Sequence, residues 1–487
     1  MNQVVSDSQV IAEKELICDV LVVGMGIAGL VAALRALELG AKVISIDKQS
    51  RGWWTPGGDM IVSGGVFHLS SCRMNAPEAE LIEKILAATE GMIPPDLLNV
   101  TVGNSGRALK WLVENGAEFL ETSGKERRLK PSFPQPVWGR VKPGGIQDAV
   151  NFGNKRLALN LESRIKEKGG SILYETKAIK LLTNAMGRVT GLTAQDKKGR
   201  FNIKARAVIL CTGGYLRNKE MLLKYLGPCA DEIIVYSGPG CTGDAFKMCE
   251  ELGAYLRSMN HAGFTHLYSA DAYYKEDLVG AHLEVVARQG IIINREGERF
   301  VDESLGPRIV GSLMTKTTIY QKGWIILDNA IYSSSEGIKK KVADVREFGG
   351  TIHTADTIEE LARRAGISPR LQLTITEFNR AVDEGETELL RSPRKEHINK
   401  ISTPPFYAIP FVPGIVSTYG GFLVSPKAEI LDWDKKPIPG LYAAGLTMQG
   451  SLSGGVENSD GAYVGCLGAC LIFGILSAEN AVTIQTD

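Results

Sequence analysis

The segment from Cys18 to Lys48 constrains the fold more than any other part of the sequence. Residues 18–23 (CDVLVV) are a continuous apolar run, as expected of a strand buried on both faces of a parallel sheet. They lead into Gly24-Met25-Gly26-Ile27-Ala28-Gly29, then the helical pattern LVAALRALELG, then a second apolar run over 42–46 that ends at Asp47. A strand, a glycine turn, a helix, a strand and an acid in that order make up a dinucleotide-binding unit. Each glycine has its own steric reason: Gly24 permits the tight turn, Gly26 lets backbone reach a pyrophosphate at the positive helix end, and Gly29 lets helix and strand pack closely. Asp47 is placed to accept hydrogen bonds from an adenosine ribose.

Composition narrows the function classes. The chain has 487 residues with 55 Lys+Arg against 55 Asp+Glu, and no basic run. Nucleic-acid binding through bulk charge is thereby disfavoured. Glycine, at 54 of 487 residues, exceeds the average of about 7%, which points to many close backbone approaches. The N-terminal residues lack a basic start followed by an apolar run, so a cytoplasmic location with reduced thiols is expected. The eight cysteines include no C-x-x-C and have no histidine at zinc-ligand spacing, so no metal site is expected. The apolar stretch 462–478 is short, holds glycines and follows a polar loop; it reads as a buried helix rather than a membrane span.

Along the chain, residues 90–125 carry an amphipathic helix ending near Gly116, and 157–168 another. SILYETKAIKLL reads as a strand, Gly187 and Gly199 punctuate hairpin-like strands, and 207–210 is a buried strand ending in Cys211-Thr212-Gly213-Gly214. From 250 to about 400 the pattern changes to charged helical stretches, which read as an inserted cap. Residues 401–487 return to strands, turns and a last helix.

The glycine turn with Asp47, Ser63-Gly64-Gly65, Thr212-Gly213-Gly214, Thr242-Gly243-Asp244, the INREGERF stretch from Ile293 and PIPGLYAAG up to Gly445 occur in one order. In that order the chain resembles, over nearly its whole length, the flavoprotein family of fumarate reductases, succinate dehydrogenase flavoprotein subunits and 3-ketosteroid dehydrogenases. The resemblance implies an α/β fold. A Rossmann-like FAD-binding domain, a parallel sheet with helices, would comprise 1–248 and 401–487. An α+β capping domain would be inserted at 249–400, and the interface of the two would form the active site. It also implies noncovalent FAD, since no histidine stands in 50–65, where succinate dehydrogenases tether flavin. By the same resemblance Gly24, Gly26, Ile27, Ala28 and Gly29 would surround the pyrophosphate, Asp47 and Lys48 the adenosine ribose, and Ser63, Gly64 and Gly65 the flavin. Ala178 would hold the adenine through its backbone, Thr212, Gly213, Gly214 and Asp244 would line the returning chain, and Gly445 would approach the ribityl group. Gly465, Cys466 and Leu467 would open the last helix toward the flavin O2 edge. Leu446 stands where the family commonly has Glu.

Departures from the family pattern bear on substrate. Fumarate-reducing members clamp two carboxylates with a His before a T-x-G-G segment and an Arg in the final glycine loop. Here Ser417 precedes Thr418-Tyr419-Gly420-Gly421, and the last Arg and His are Arg394 and His397. Two desolvated carboxylates without cationic partners are costly, so a neutral substrate is expected. The loop 450–465 resembles that of ketosteroid dehydrogenases. Candidate catalytic groups are therefore Tyr419 and Tyr463, with Ser453 and Ser417 as supporting donors, Arg308 as a displaced acid or else a surface charge, and Tyr268, Tyr273 or Tyr274 from the cap. Trp53, Trp54 and Trp138 make either an aromatic wall for a flat ring or ordinary packing. The expected activity is hydride transfer between flavin and a neutral cyclic substrate, in the manner of tetrahydrodaidzein-reductase-like enzymes. Alternatives are desaturation of a cyclic ketone, dicarboxylate reduction, or a flavin electron-transfer subunit. No second dinucleotide fingerprint is visible, which leaves the electron partner and the oligomeric state open.

Overall fold

The computed structural model describes residues 15–63, 67–69, 72–117, 119–121, 129–131, 153–273, 280–317, 322–454 and 466–484. The opening unit forms as the sequence implies: β1 (Glu15–Val23), α1 (Ile27–Glu38) and β2 (Val43–Ile46). Val20 to Val23 are buried on both faces because β1 lies between two parallel neighbours, β2 on one side and residues 199–210 on the other. Next come α2 (Gly153–Glu167), β3 (Ser171–Leu173), β4 (Lys177–Thr183), β5 (Val189–Asp196) and β6 (Gly199–Leu210).

SILYETKAIKLL is two strands rather than one. Glu175 takes a left-handed backbone (φ 52°) that no strand accommodates. The N–H groups of Glu175 and Thr176 donate to Gln49 O (3.1 Å) and Asp47 O (2.9 Å), so the bend is pinned to the end of β2. β3 therefore extends the parallel sheet beside β2, while β4 leaves it to pair antiparallel with β5. β6 spans both environments: its first half pairs with β5 and its second half with Pro437–Ala443. The apolar stretch near the C-terminus becomes helix Cys466–Val482, buried against α1, where a Cβ on Gly474 would lie 2.9 Å from Val31 Cγ1. Among the described residues no helix is long and apolar enough to cross a membrane.

A second, seven-stranded sheet is built mainly from β7 (Ala262–Tyr273), β8 (Gly280–His282), β9 (Gly323–Asp328) and β10 (Phe406–Thr418). β10 is its spine despite Pro410 and Pro413, which lack an N–H for a ladder. The strand divides its work: residues 406–411 pair with β9, and 411–418 pair with β7. Ile234–Val235 and His353–Ala355 also join β10, so this sheet takes strands from both sides of 249–400.

The cap is pinned internally by a fully buried charge cluster. Glu303 accepts from Arg299 Nε (3.1 Å) and Nη2 (2.8 Å), from Ile292 N (2.8 Å) and from Arg394 Nη1. The rest of the Arg394 guanidinium donates to the carbonyls of Glu396 (2.7 Å), His397 (2.9 Å) and Arg288. Glu303→Gln would leave two buried guanidinium groups without a counter-charge. We expect a loss of about 3–5 kcal/mol in urea unfolding, and a loss under 1 kcal/mol would remove the cluster as the anchor of the cap.

Candidate active site

The glycine turn is defined by what surrounds it. Gly24 has φ +101° and lies against Cys211 O, and a Cβ on Gly29 would collide with Gly24 O, so neither position tolerates a side chain. Gly26 differs: a Cβ there would meet nothing nearer than Gly57 O at 3.9 Å. It is the N-cap of α1, and neither a side-chain cap nor a first-turn acid occupies that helix end. A positive helix end without a capping side chain, and a glycine that bridges Gly57 with no Cβ in the way, together fit a pyrophosphate. Asp47 braces this turn, accepting from Met25 N at 2.8 Å through one carboxylate oxygen and from Gln49 N at 2.8 Å through the other. Burial pushes Asp47 above the usual carboxylate range, against the two N–H groups and Lys48, which favour its ionised form.

The returning chain closes on the same place. Gly445 (φ +71°) sits so near the start of α1 that a Cβ there would lie 2.9 Å from Ala28 Cβ. Thr447 Oγ1 donates to Gly213 O (3.3 Å) and lies 3.5 Å from Thr212 Oγ1. Gly214 faces the Thr418 hydroxyl, which is fully buried without a hydrogen-bond partner, as are both amide atoms of Gln449. Orphaned buried polar groups beside a glycine cradle fit a polar ligand that completes them. Lys48 and Asp244 face one another at 2.6 Å, and Lys48 also donates to Thr242. Ala178 is buried on β4, paired with Ala194. Leu467 is buried in the first turn of the helix that Cys466 opens.

Several groups that hold the site together carry no sequence signal. The turn RGWWTPGG wraps around the ammonium of Lys155, which donates to the carbonyls of Gly52 (2.6 Å), Trp53 (3.0 Å) and Pro56 (3.0 Å). Burial, with Arg51 nearby, brings that ammonium down to about 8. Its neighbour Asn154 donates to Met60 O (2.8 Å) and Ser63 O (3.1 Å), and the Ser63 hydroxyl donates to Met60 O (2.8 Å). The start of α2 thus holds the whole segment 52–63 in place, and Gly57 N donates to Met25 O (2.9 Å) in the glycine turn. Asp59 extends the network, accepting from Gly238 N (2.7 Å), Ser237 Oγ (3.0 Å) and Cys241 Sγ (3.0 Å). Burial raises its carboxyl above the usual range against those donors.

Among the catalytic candidates, Ser417 and Tyr419 are brought together and buried. A Cβ on Gly263 of β7 would come 2.5 Å from the Tyr419 hydroxyl and 2.8 Å from the Ser417 hydroxyl. The Ser453 hydroxyl lies 2.8 Å from the carbonyls of both Tyr419 and Gln449, so it fixes backbone there. Tyr268 lies in β7 with its ring against Gly414, Tyr273 ends that strand, and Arg308 is the second residue of helix Pro307–Thr317. Gly64, Gly65, Trp138, Tyr274, Tyr463 and Gly465 lie outside the described residues.

A glycine cradle at a bare helix end, reached by two separated parts of the chain and faced by a second sheet, defines a capped dinucleotide-binding enzyme. A family model described as an FAD binding domain matches residues 19–462, and the chain belongs to that family. It is an FAD-dependent oxidoreductase of the fumarate reductase and ketosteroid dehydrogenase type. The chain is 28% identical over 488 residues to the fumarate reductase (cytochrome) of Shewanella frigidimarina, covering 95% of this chain and 76% of that one. It is 29% identical over 446 residues to the urocanate reductase of Eggerthella lenta, covering 88% and 69%. With the vinyl phenol reductase of Lactiplantibacillus plantarum it shares 26% over 467 residues, covering 88% and 89%. The solved 3-ketosteroid delta1-dehydrogenase from Sterolibacterium denitrificans, 20% identical, superposes with a TM-score of 0.77 over 96% of this chain and 99% of that one, which shows the fold. The family, the fold class and FAD are thus as the sequence led us to expect.

Two substitutions test the cradle. Asp47→Ala orphans two backbone N–H groups, at a cost of about 1–3 kcal/mol each, and should release FAD on gel filtration from protein that remains folded. Lys155→Met leaves three carbonyls of the 52–56 turn without their donor and should weaken FAD retention about tenfold or more. Unchanged flavin absorbance in both variants would remove these assignments.

Proposed function

We propose that the protein reduces a conjugated C=C bond in a neutral, ring-bearing substrate held between the nucleotide domain and the cap. The observation that carries this reading is the pair of buried, uncharged hydroxyls of Ser417 and Tyr419 converging at Gly263, where a dicarboxylate site would need cations. The last arginine of the sequence does not supply one, because Arg394 is consumed by Glu303 and three carbonyls. A neutral donor pair suits a carbonyl or phenol oxygen, whereas burying a dianion beside it would cost several kcal/mol, roughly, for want of charge-assisted bonds. One of the relatives is named for vinyl phenol, an uncharged aromatic substrate, and the chain matches that relative over most of its length.

FAD, when bound, supplies the two-electron chemistry in which hydride moves between N5 and a substrate carbon. The residues of this chain do the rest. Tyr419 is assigned the proton on the neighbouring atom, Ser417 orients the substrate oxygen, and Ser453 fixes the Tyr419 backbone from behind. Within the neutral ring class, isoflavonoid ketones of the kind that a tetrahydrodaidzein reductase takes are our preferred substrates.

The test is anaerobic reoxidation of the reduced flavin by vinyl phenols, cyclic enones, isoflavonoids and fumarate in parallel. Ring compounds are expected to reoxidise it faster than fumarate; fumarate as the fastest acceptor would overturn the proposal. Tyr419→Phe should lower kcat by about 10²-fold or more with flavin content unchanged.

A further inference from the structure

On the cap side of the molecule His266 of β7, His282 at the end of β8 and Glu284 at the start of helix Glu284–Gln289 bring three ligand atoms together. The two Nδ1 atoms are 3.2 Å apart, His266 Nδ1 is 3.0 Å from Glu284 Oε1, and His282 Nδ1 is 3.6 Å from the same oxygen. A tetrahedral ion with bonds of about 2.0–2.1 Å to nitrogen and oxygen needs ligand atoms about 3.3–3.4 Å apart. The observed triangle brackets that edge.

The surroundings fit an ion as well. The Leu267 N–H donates to Glu284 Oε1 (3.1 Å), which sets the carboxylate orientation. Tyr268 packs its ring 4.8 Å from that of His282, and its hydroxyl is buried without a hydrogen-bond partner. Tyr236 stands edge-on to His266 at 6.3 Å. The ligand side chains are nevertheless 20–26% exposed, so the group can be reached from solvent. On binding an ion the two ring nitrogens would give up their hydrogen bonds to Glu284, because neutral imidazole lone pairs and an ionised carboxylate are the forms that ligate.

We propose that His266, His282 and Glu284 form a three-ligand site for a divalent transition ion of the Zn²⁺ class, with water as the fourth ligand. Two imidazoles and one carboxylate are a borderline donor set that suits Zn²⁺ or Co²⁺ over Ca²⁺ or Mg²⁺. Such an ion ties β7, β8 and helix Glu284–Gln289 together within the cap, independently of the substrate.

The test uses the FAD-loaded enzyme, stripped with a chelator and titrated with Co²⁺ while difference spectra against the flavin background are recorded. One Co²⁺ per chain with the visible bands of a four-coordinate complex, displaced by Zn²⁺, is the expected result. His282→Ala and the near-isosteric Glu284→Gln should each weaken Zn²⁺ binding in calorimetry by at least about tenfold, with flavin content reporting that both fold. His353→Ala, outside the triangle, should bind as the wild type does. If the wild type takes up no more Co²⁺ or Zn²⁺ than His282→Ala, the three side chains form a hydrogen-bonded group only and the proposal fails.

Discussion

The structure depends on backbone meeting backbone at the glycine turn. Gly24 lies against Cys211 O and Gly29 against Gly24 O, so β1, α1 and the end of β6 close to a separation at which no side chain fits. That closeness leaves the start of α1 without a capping side chain at Gly26, and Gly445 arrives at Ala28 from the other end of the chain. The nucleotide site is thus a gap in backbone packing, braced by one carboxylate, Asp47, rather than a set of side chains reaching toward a ligand. Steric exclusion, more than attraction, shapes it.

The second sheet solves a different problem. Its spine, β10, serves two partners along its length, and its residues Ile415 and, from β7, Phe264 join the core that includes β1. The buried Arg299–Glu303–Arg394 cluster then fixes the segment that leads from the cap back to β10. Arg299 and Arg394 are invested in the frame of the cap, and the polar groups at the junction with β7 include the hydroxyls of Ser417, Thr418 and Tyr419 and the ring of His261.

Legibility in the sequence followed the range of the interaction. The glycine turn and Asp47 are readable because the turn, the helix it opens and the acid fall within one strand-helix-strand unit whose spacing shows in the sequence, even though Cys211, Gly57 and Gly445 close on it from far along the chain. SILYETKAIKLL was misread as a single strand because its break depends on Asp47 and Gln49 carbonyls more than 120 residues away in sequence. Lys155, Asn154 and Asp59 were missed for the same reason: they act on backbone carbonyls and amides of distant segments, and one lysine or aspartate has no pattern that reveals such a partner. The bonds of Ser453 to the carbonyls of Tyr419 and Gln449 likewise join positions 34 and 4 residues away, and only coordinates reveal them.

By itself the sequence determined the class of fold, the dinucleotide turn, the family and FAD, because these rest on local sterics and on an ordered series of short motifs. It also showed where the cationic side chains of a dicarboxylate clamp are missing. The tertiary structure alone decided which groups meet: that Ser417 and Tyr419 converge at Gly263, that Arg394 is occupied, and that two histidines and a glutamate from three elements share one point. Their proximity follows from β-sheet register and from strands donated by distant parts of the chain, and register is a property of packing that no single segment carries.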